Sequence, residues 1–109
     1  MSISIADFSK IEMKIGKVLS VEDIPAARHP MYKLLVDLGE MGTRQCVAGI
    51  KDGYSKEELQ GRLVVVVVNL QPKSVAGVLS ECMLLAAFKD GVLSLLKPDK
   101  DIPLGTKVG

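Results

Sequence analysis

The sequence predicts an all-β fold: a five-stranded barrel with one short helix and a C-terminal β extension. Three stretches carry that prediction. Residues 63–72 read LVVVVVNLQP, and five consecutive β-branched valines disfavour a helix. Their lack of alternation asks for cover on both faces, as in a central strand. Residues 11–23, IEMKIGKVLSVED, alternate apolar and polar positions as a half-buried strand does. Residues 32–50, YKLLVDLGEMGTRQCVAGI, set two strand-like runs either side of a tight EMG connection and read as a hairpin.

Each element follows from local chemistry. Asp7 or Ser9 punctuates an N-terminal turn, SIADFSK, whose Ile5 and Phe8 are expected to dock on the body. In the first strand Ile11, Met13, Ile15 and Leu19 or Val21 share one side, with Glu12, Lys14 and Lys17 on the other, and Gly16 offers a bulge or sharp coil. IPAARHP, bracketed by Pro25 and Pro30, is loop. The second strand is expected over 32–39 and the third over 43–50. Ser55 ahead of Glu58 is a capping-box spacing that starts a short helix ending at Gly61. The valine strand must finish near Leu70, because Pro72 has no N–H for a ladder. QPKSVAGVLS (71–80) reads as loop, ECMLLAAF (81–88) as one strand, and Asp90-Gly91 as the turn into VLSLLKP. This order, with the helix between the third and fourth strands, is that of an OB-fold barrel. The apolar material after Asp90 exceeds what such a barrel needs and is expected to cover the interface of a homodimer.

A chain of 109 residues supports one domain, here 1–109, with one core. Composition is 48% hydrophobic but only 4% aromatic, so Val, Leu, Ile and Met must build that core. The net charge of +1 excludes a strongly basic, non-specific nucleic-acid binder and leaves room only for a local patch. Cys46 and Cys82 lie far apart in apolar contexts and are expected to be buried reduced thiols, which suits a cytoplasmic location. With His29 the sole histidine, too few ligands exist for a zinc site, and no cofactor is expected. No secretory signal opens the chain, and the valine run is far short of the roughly 20 residues that a spanning helix needs.

Several segments together resemble one family. FSKIEMKIGKV, YSKEELQG, VVVVVNLQP, AGVLSECMLLAA and IPLGTKVG are similar to the stand-alone tRNA-binding domain, a module also appended to methionyl-tRNA synthetases and to cytokine-like synthetase accessory proteins. The resemblance spans nearly the whole chain. Its specific part is N-L-x-P followed by A/R-G-x-x-S-E-x-M-L-L at this spacing. Where many members carry H-P-x-A-D-K-L, this chain has Ala27-Arg28-x-Pro30-x-x-Lys33-Leu34, which resembles the CsaA subgroup of export-associated chaperones, as does the LKPDKDIPLGTKVG ending. SECMLLAA is closer to the tRNA-binding branch.

The resemblance implies a non-enzymatic, homodimeric tRNA binder, and it carries tRNA contact over to Ser80 and Met83. The residues themselves add candidates. Asn69, Gln71, Lys73 and Ser74 gather donors in the loop after the valines, and Gly77 lets a partner approach closely. Asn69 either contacts RNA or only satisfies backbone at the strand end, and Met83 either lies against a base or packs in the core. Arg28, Lys33, Arg44, Lys51 and Lys73 supply phosphate contacts if they converge. Arg28 and Lys33 rank first because they fall in the subgroup's loop. His29 is a weaker stacking candidate. Phe8 and Phe88 are expected to be buried, and Tyr32 and Tyr54 either stack or pack. Few free aromatics favour reading of RNA shape and backbone over sequence. A lone histidine, without a nucleophile elbow or phosphate cradle, leaves no catalytic pair. Two alternatives stand beside the tRNA reading. One is a chaperone that holds unfolded polypeptides in a groove lined by Met31, Tyr32 and Met83. The other is a separate tRNA-binding subunit that docks on methionyl-tRNA synthetase.

Overall fold

The computed structural model describes residues 1–109. One helical turn, α1 (Ile5–Phe8), capped by Ser4, precedes the long strand β1 (Met13–Asp23). β2 (Tyr32–Asp37) and β3 (Thr43–Ala48) follow, joined through a 3-10 turn at Gly39–Met41. α2 (Lys56–Leu59) leads into β4 (Leu63–Val67). Six short strands complete the chain: β5 (Lys73–Val75), β6 (Val78–Ser80), β7 (Met83–Leu84), β8 (Ala86–Lys89), β9 (Val92–Leu95) and β10 (Lys107–Val108). The barrel sheet runs β3-β2-β1-β4-β7, with antiparallel neighbours throughout, and β10 lies beside the start of β1.

β4 is covered on both sides, as its composition requires: none of Val64 to Val68 is more than 7% exposed. Val64, Val66 and Val68 join the main core with Val18, Leu34, Val36, Leu38, Leu59 and Leu84. Val65 and Val67 are buried outside that cluster, on the opposite face of the strand. α2 carries the expected reciprocal cap between Ser55 and Glu58, and the Ser55 backbone N–H on the Glu58 carboxyl is the chief reason its pKa is lowered. That single turn exists to seat Leu59, which is fully buried.

β1 departs from the expected pattern. Its residue turned into the main core is Val18, whereas Ile15 pairs opposite Val65 on the other face. The register shifts between Val18 and Ser20, so the bulge falls at Leu19 rather than at Gly16, and Leu19 points outward. Gly16 serves close approach instead. A Cβ there would stand 2.6 Å from Val36 Cγ1 and 3.0 Å from Leu38 Cδ2. Its absence lets β1 bend over β2, pairing β4 with its first half and β2 with its second.

The second half of the chain differs further. Residues 73–80, expected as loop, form the β5–β6 hairpin, whose Ala76 and Gly77 both adopt positive φ (49° and 81°). The strand expected over 81–88 is two strands. β7 pairs with β4, while β8 leaves the barrel to pair with β9 across the Asp90-Gly91 turn. Phe88 therefore stands 70% exposed on a detached ribbon, not in the core. Phe8 is also exposed, because α1 buries none of its residues.

Closure of the barrel corrects the reading of the cysteines. With β3 and β7 at the two ends of the sheet, curling it shut brings β3 alongside residues 79–82. The Gln45 N–H donates to Glu81 Oε1 (3.1 Å), Gln45 Nε2 donates to the Leu79 carbonyl (2.7 Å), and the Glu81 N–H donates to the Gln45 carbonyl (2.8 Å). Cys46 and Cys82, 36 residues apart, meet here with Cα atoms 5.1 Å apart and form a disulfide, so neither is a free thiol. Closing a loop of this length restricts the unfolded chain by about 3–4 kcal/mol. Urea unfolding in a dithiol reductant is therefore expected to show a stability lower by about that amount than without it. Equal midpoints would show that the bond contributes nothing.

Candidate nucleic-acid interface

The β1–β2 loop (24–31) and the tip of the β5–β6 hairpin converge at one side of the barrel. A cleft of about 270 Å³ separates them, walled by Ala26, Ala27, Met31, Val75 and Ala76, with Arg28 and His29 on its rim. A second cleft, of about 580 Å³, lies across the same loop and reaches Lys51 and Asp52. Arg28, His29 and Met31 border both. Pro25 and Pro30 brace a loop without regular structure, which leaves these side chains outside the packed sheet.

From this loop a single cross-strand row runs along the barrel. Glu22 pairs opposite Lys33, and Lys33 opposite Val47. The Val47 N–H donates to Ser80 Oγ (3.0 Å), and Ser80 pairs opposite Lys73. Lys33 and Lys73 are thereby linked through Val47 and Ser80, across the junction between the barrel sheet and the β5–β6 hairpin. Ser80 is thus part of the seam: besides accepting from Val47, its hydroxyl donates to the Cys82 carbonyl (3.3 Å).

Lys33 and Lys51, with Lys56 beside them, are held by acids, whereas Arg28, Arg44 and Lys73 form no ion pair. Lys33 Nζ sits 3.0 Å from Glu22, and Asp23 receives both Lys56 (2.7 Å) and Lys51 (3.0 Å). Hydrogen bonds from Lys56 first and Lys51 second lower the Asp23 pKa, and Asp23 in turn raises that of Lys56. Lys51 also lies 5.9 Å from the centre of the Tyr32 ring. All these groups are solvent-facing, so the pairs orient side chains more than they stabilise the fold.

Other candidates fall elsewhere. Asn69 is not in the row: its Oδ1 accepts from the Glu12 N–H (2.9 Å) and its Nδ2 donates to the Lys10 carbonyl (2.6 Å), clipping the N-terminal segment to the end of β4. Met83 is half exposed on β7 opposite Val67, on the same flank as that clip. Tyr32 is buried, its hydroxyl donating to the Tyr54 carbonyl (2.9 Å), and the Tyr54 hydroxyl accepts from the Leu95 N–H (2.9 Å). Both tyrosines therefore pack rather than offer a face for stacking. Arg44 lies on β3 opposite Val36, away from the loop. Sequence reading passed over Glu22 and Asp23, which hold the lysines, although two acids at the end of a strand before a loop are visible in VEDIP.

Because the Asp23 pKa is lowered, its pairs are complete above the unfolded value of about 3.9 and are lost as pH falls through the lower folded value. Titration of the Asp23 carboxyl by NMR is expected to give an apparent pKa below about 3.9, returning to it in a Lys51→Ala/Lys56→Ala variant. An ordinary value in the unmodified protein would dismantle the cluster.

Comparison with known proteins places this geometry. The family described as "Putative tRNA binding domain" matches residues 13–107. Methionine–tRNA ligases of Methanococcus vannielii and Methanocaldococcus jannaschii are 47% and 49% identical over 97% of the chain, which spans only 16% of either enzyme. Among solved structures, the CsaA chaperone of Picrophilus torridus superposes with a TM-score of 0.92 at 36% identity, covering 99% of this chain and 100% of that one. A protein related to methionyl-tRNA synthetase from Pyrococcus horikoshii superposes at 0.90 with 36% identity, over 100% and 99% of the two chains. No helix in the structure is long and apolar enough to cross a membrane. The family match over residues 13–107 and the whole-chain superpositions agree, and the chain belongs to the tRNA-binding domain family.

Proposed function

We propose that residues 1–109 act as one non-enzymatic tRNA-binding unit, working as a homodimer that reads RNA shape and backbone. The observation that carries this reading is the convergence of the β1–β2 loop with the β5–β6 hairpin, alongside the Lys33–Ser80–Lys73 row. OB-fold barrels use these two loop positions for oligonucleotides. Arg28 leads at the loop, and phosphate oxygens take over Lys33 and Lys51 from Glu22 and Asp23. Such an exchange of partners costs little, because exposed, solvent-screened pairs add little to stability. Ser80 acts from within the seam, by fixing the height of β6 and with it Lys73. Phe88 (70% exposed), Val92 (66%) and the N-terminal Ile5 (81%) supply apolar surface for the second copy. Two modest patches on one folded RNA then gain by effective concentration.

In a gel-shift and salt-titration assay with folded tRNA, the double variant Arg28→Glu/Lys33→Glu is expected to lose binding and to keep the oligomeric state of the parent. Undiminished binding would remove the loop from the interface.

A second reading is favoured by the end-to-end likeness to CsaA chaperones: a hold on unfolded polypeptides at Met31, with Met83 offering a separate exposed thioether and Tyr32, being buried, no part of the surface. Met31 lines the apolar-walled cleft, and flexible thioethers suit varied partners. On this reading the protein suppresses aggregation of a denatured substrate independently of salt, and Met31→Ser weakens that suppression. Docking on methionyl-tRNA synthetase is the outcome if the protein co-purifies with that enzyme.

A further inference from the structure

Arg62, just after α2, has no part in the clefts described above. Its guanidinium lies over the Tyr54 ring, 5.0 Å from the centre. Tyr54 is itself fixed at both ends, by the Tyr32 hydroxyl on its carbonyl and the Leu95 N–H on its hydroxyl. This contact restricts the guanidinium, so less side-chain freedom is left to lose on binding. The Arg62 Nε is shut off from solvent and has no hydrogen-bond partner.

Beside it opens a cleft of about 560 Å³, lined by Arg62, Leu63 and residues 97–101, among them Lys97, Lys100, Asp99 and Asp101. None of these five groups takes part in an ion pair, although both signs line one space. No lining residue is shared with the two clefts at the β1–β2 loop.

We infer that this cleft binds a ribose–phosphate unit. Arg62, Lys97 and Lys100 receive the phosphate, for which the guanidinium fork is the best-matched side chain. Asp99 and Asp101 accept hydrogen bonds from the sugar hydroxyls. A bare anion would meet those two carboxylates without compensation. A ligand carrying hydroxyl donors next to its phosphate satisfies both signs. The volume is within the range of small-molecule sites and exceeds what a lone phosphate fills. A free nucleotide and the backbone of an RNA chain present the same unit.

The test is an NMR titration of the ¹⁵N-labelled protein with ribose 5-phosphate, adenosine monophosphate and inorganic phosphate, with sodium chloride at matched ionic strength. Saturable shifts are expected at the backbone amides of residues 62, 63, 97 and 99–101 with both sugar phosphates, and weaker ones with inorganic phosphate. The Lys97→Ala/Lys100→Ala variant, whose changes lie on the surface, should lose this response with its fold intact. Arg62→Lys keeps the charge but not the fork and should weaken binding on the order of tenfold. Shifts that follow ionic strength and are matched by chloride would overturn the proposal. Displacement of adenosine monophosphate by folded tRNA assigns the unit to RNA; its retention assigns it to a free nucleotide; both uphold the site. The Arg28→Glu/Lys33→Glu variant should still bind adenosine monophosphate, so failure of the loop interface and failure of this cleft read out separately.

Discussion

The structure depends on closing a sheet whose last strand is too short to close it. β7 has two residues and cannot ladder along six-residue β3. The deficit is met by residues 79–82: a glutamate carboxylate, a serine hydroxyl, two main-chain groups and a disulfide take the places of a regular ladder. An unclosed edge would leave backbone N–H groups of β3 open to pairing with other chains. It would also expose the valine core from one side. Ser80, Glu81 and Cys82 are therefore constrained by the fold before any ligand is considered.

That constraint couples architecture to binding. The seam sets where β6 stands relative to β3, and β6 carries its partner β5, with Lys73, and the hairpin tip that faces the β1–β2 loop. Near-neutral net charge does not prevent a phosphate-facing surface, because lysines can be grouped locally even where acids pair with them. Lysines 33, 51 and 56 are grouped, each held by Glu22 or Asp23 in the absence of a ligand. Screened and exposed, these pairs keep the lysines oriented without locking them away.

The strands with strong local signals were legible: the valine run, the 32–50 hairpin, the capped helix and the Asp90-Gly91 turn all lie where composition puts them. Errors gathered where pairing over long distance decides. At Leu19 a bulge reverses which side of β1 faces inward, and no local residue announces it. At 73–80 a hairpin of short strands hides in a stretch whose Ala76-Gly77 turn is weaker than Asn-Gly or Asp-Gly. Asn69 shows the limit in part: satisfying backbone at the strand end was one of its two readings, but the partners, 57 and 59 positions away, had no signature nearby.

Sequence alone determined the class of fold, the central strand and the loop that carries Arg28, since these follow from β-branching, alternation and proline, all local properties. Family membership was legible for the same reason, as a spacing of motifs along the chain. Tertiary structure decided that Cys46 meets Cys82, that Ser80 and Glu81 close the barrel, and that Lys33 and Lys73 share a row. Each of these joins segments more than 30 residues apart. Only the curvature of the sheet, set by Gly16 and the bulge at Leu19, brings such segments together.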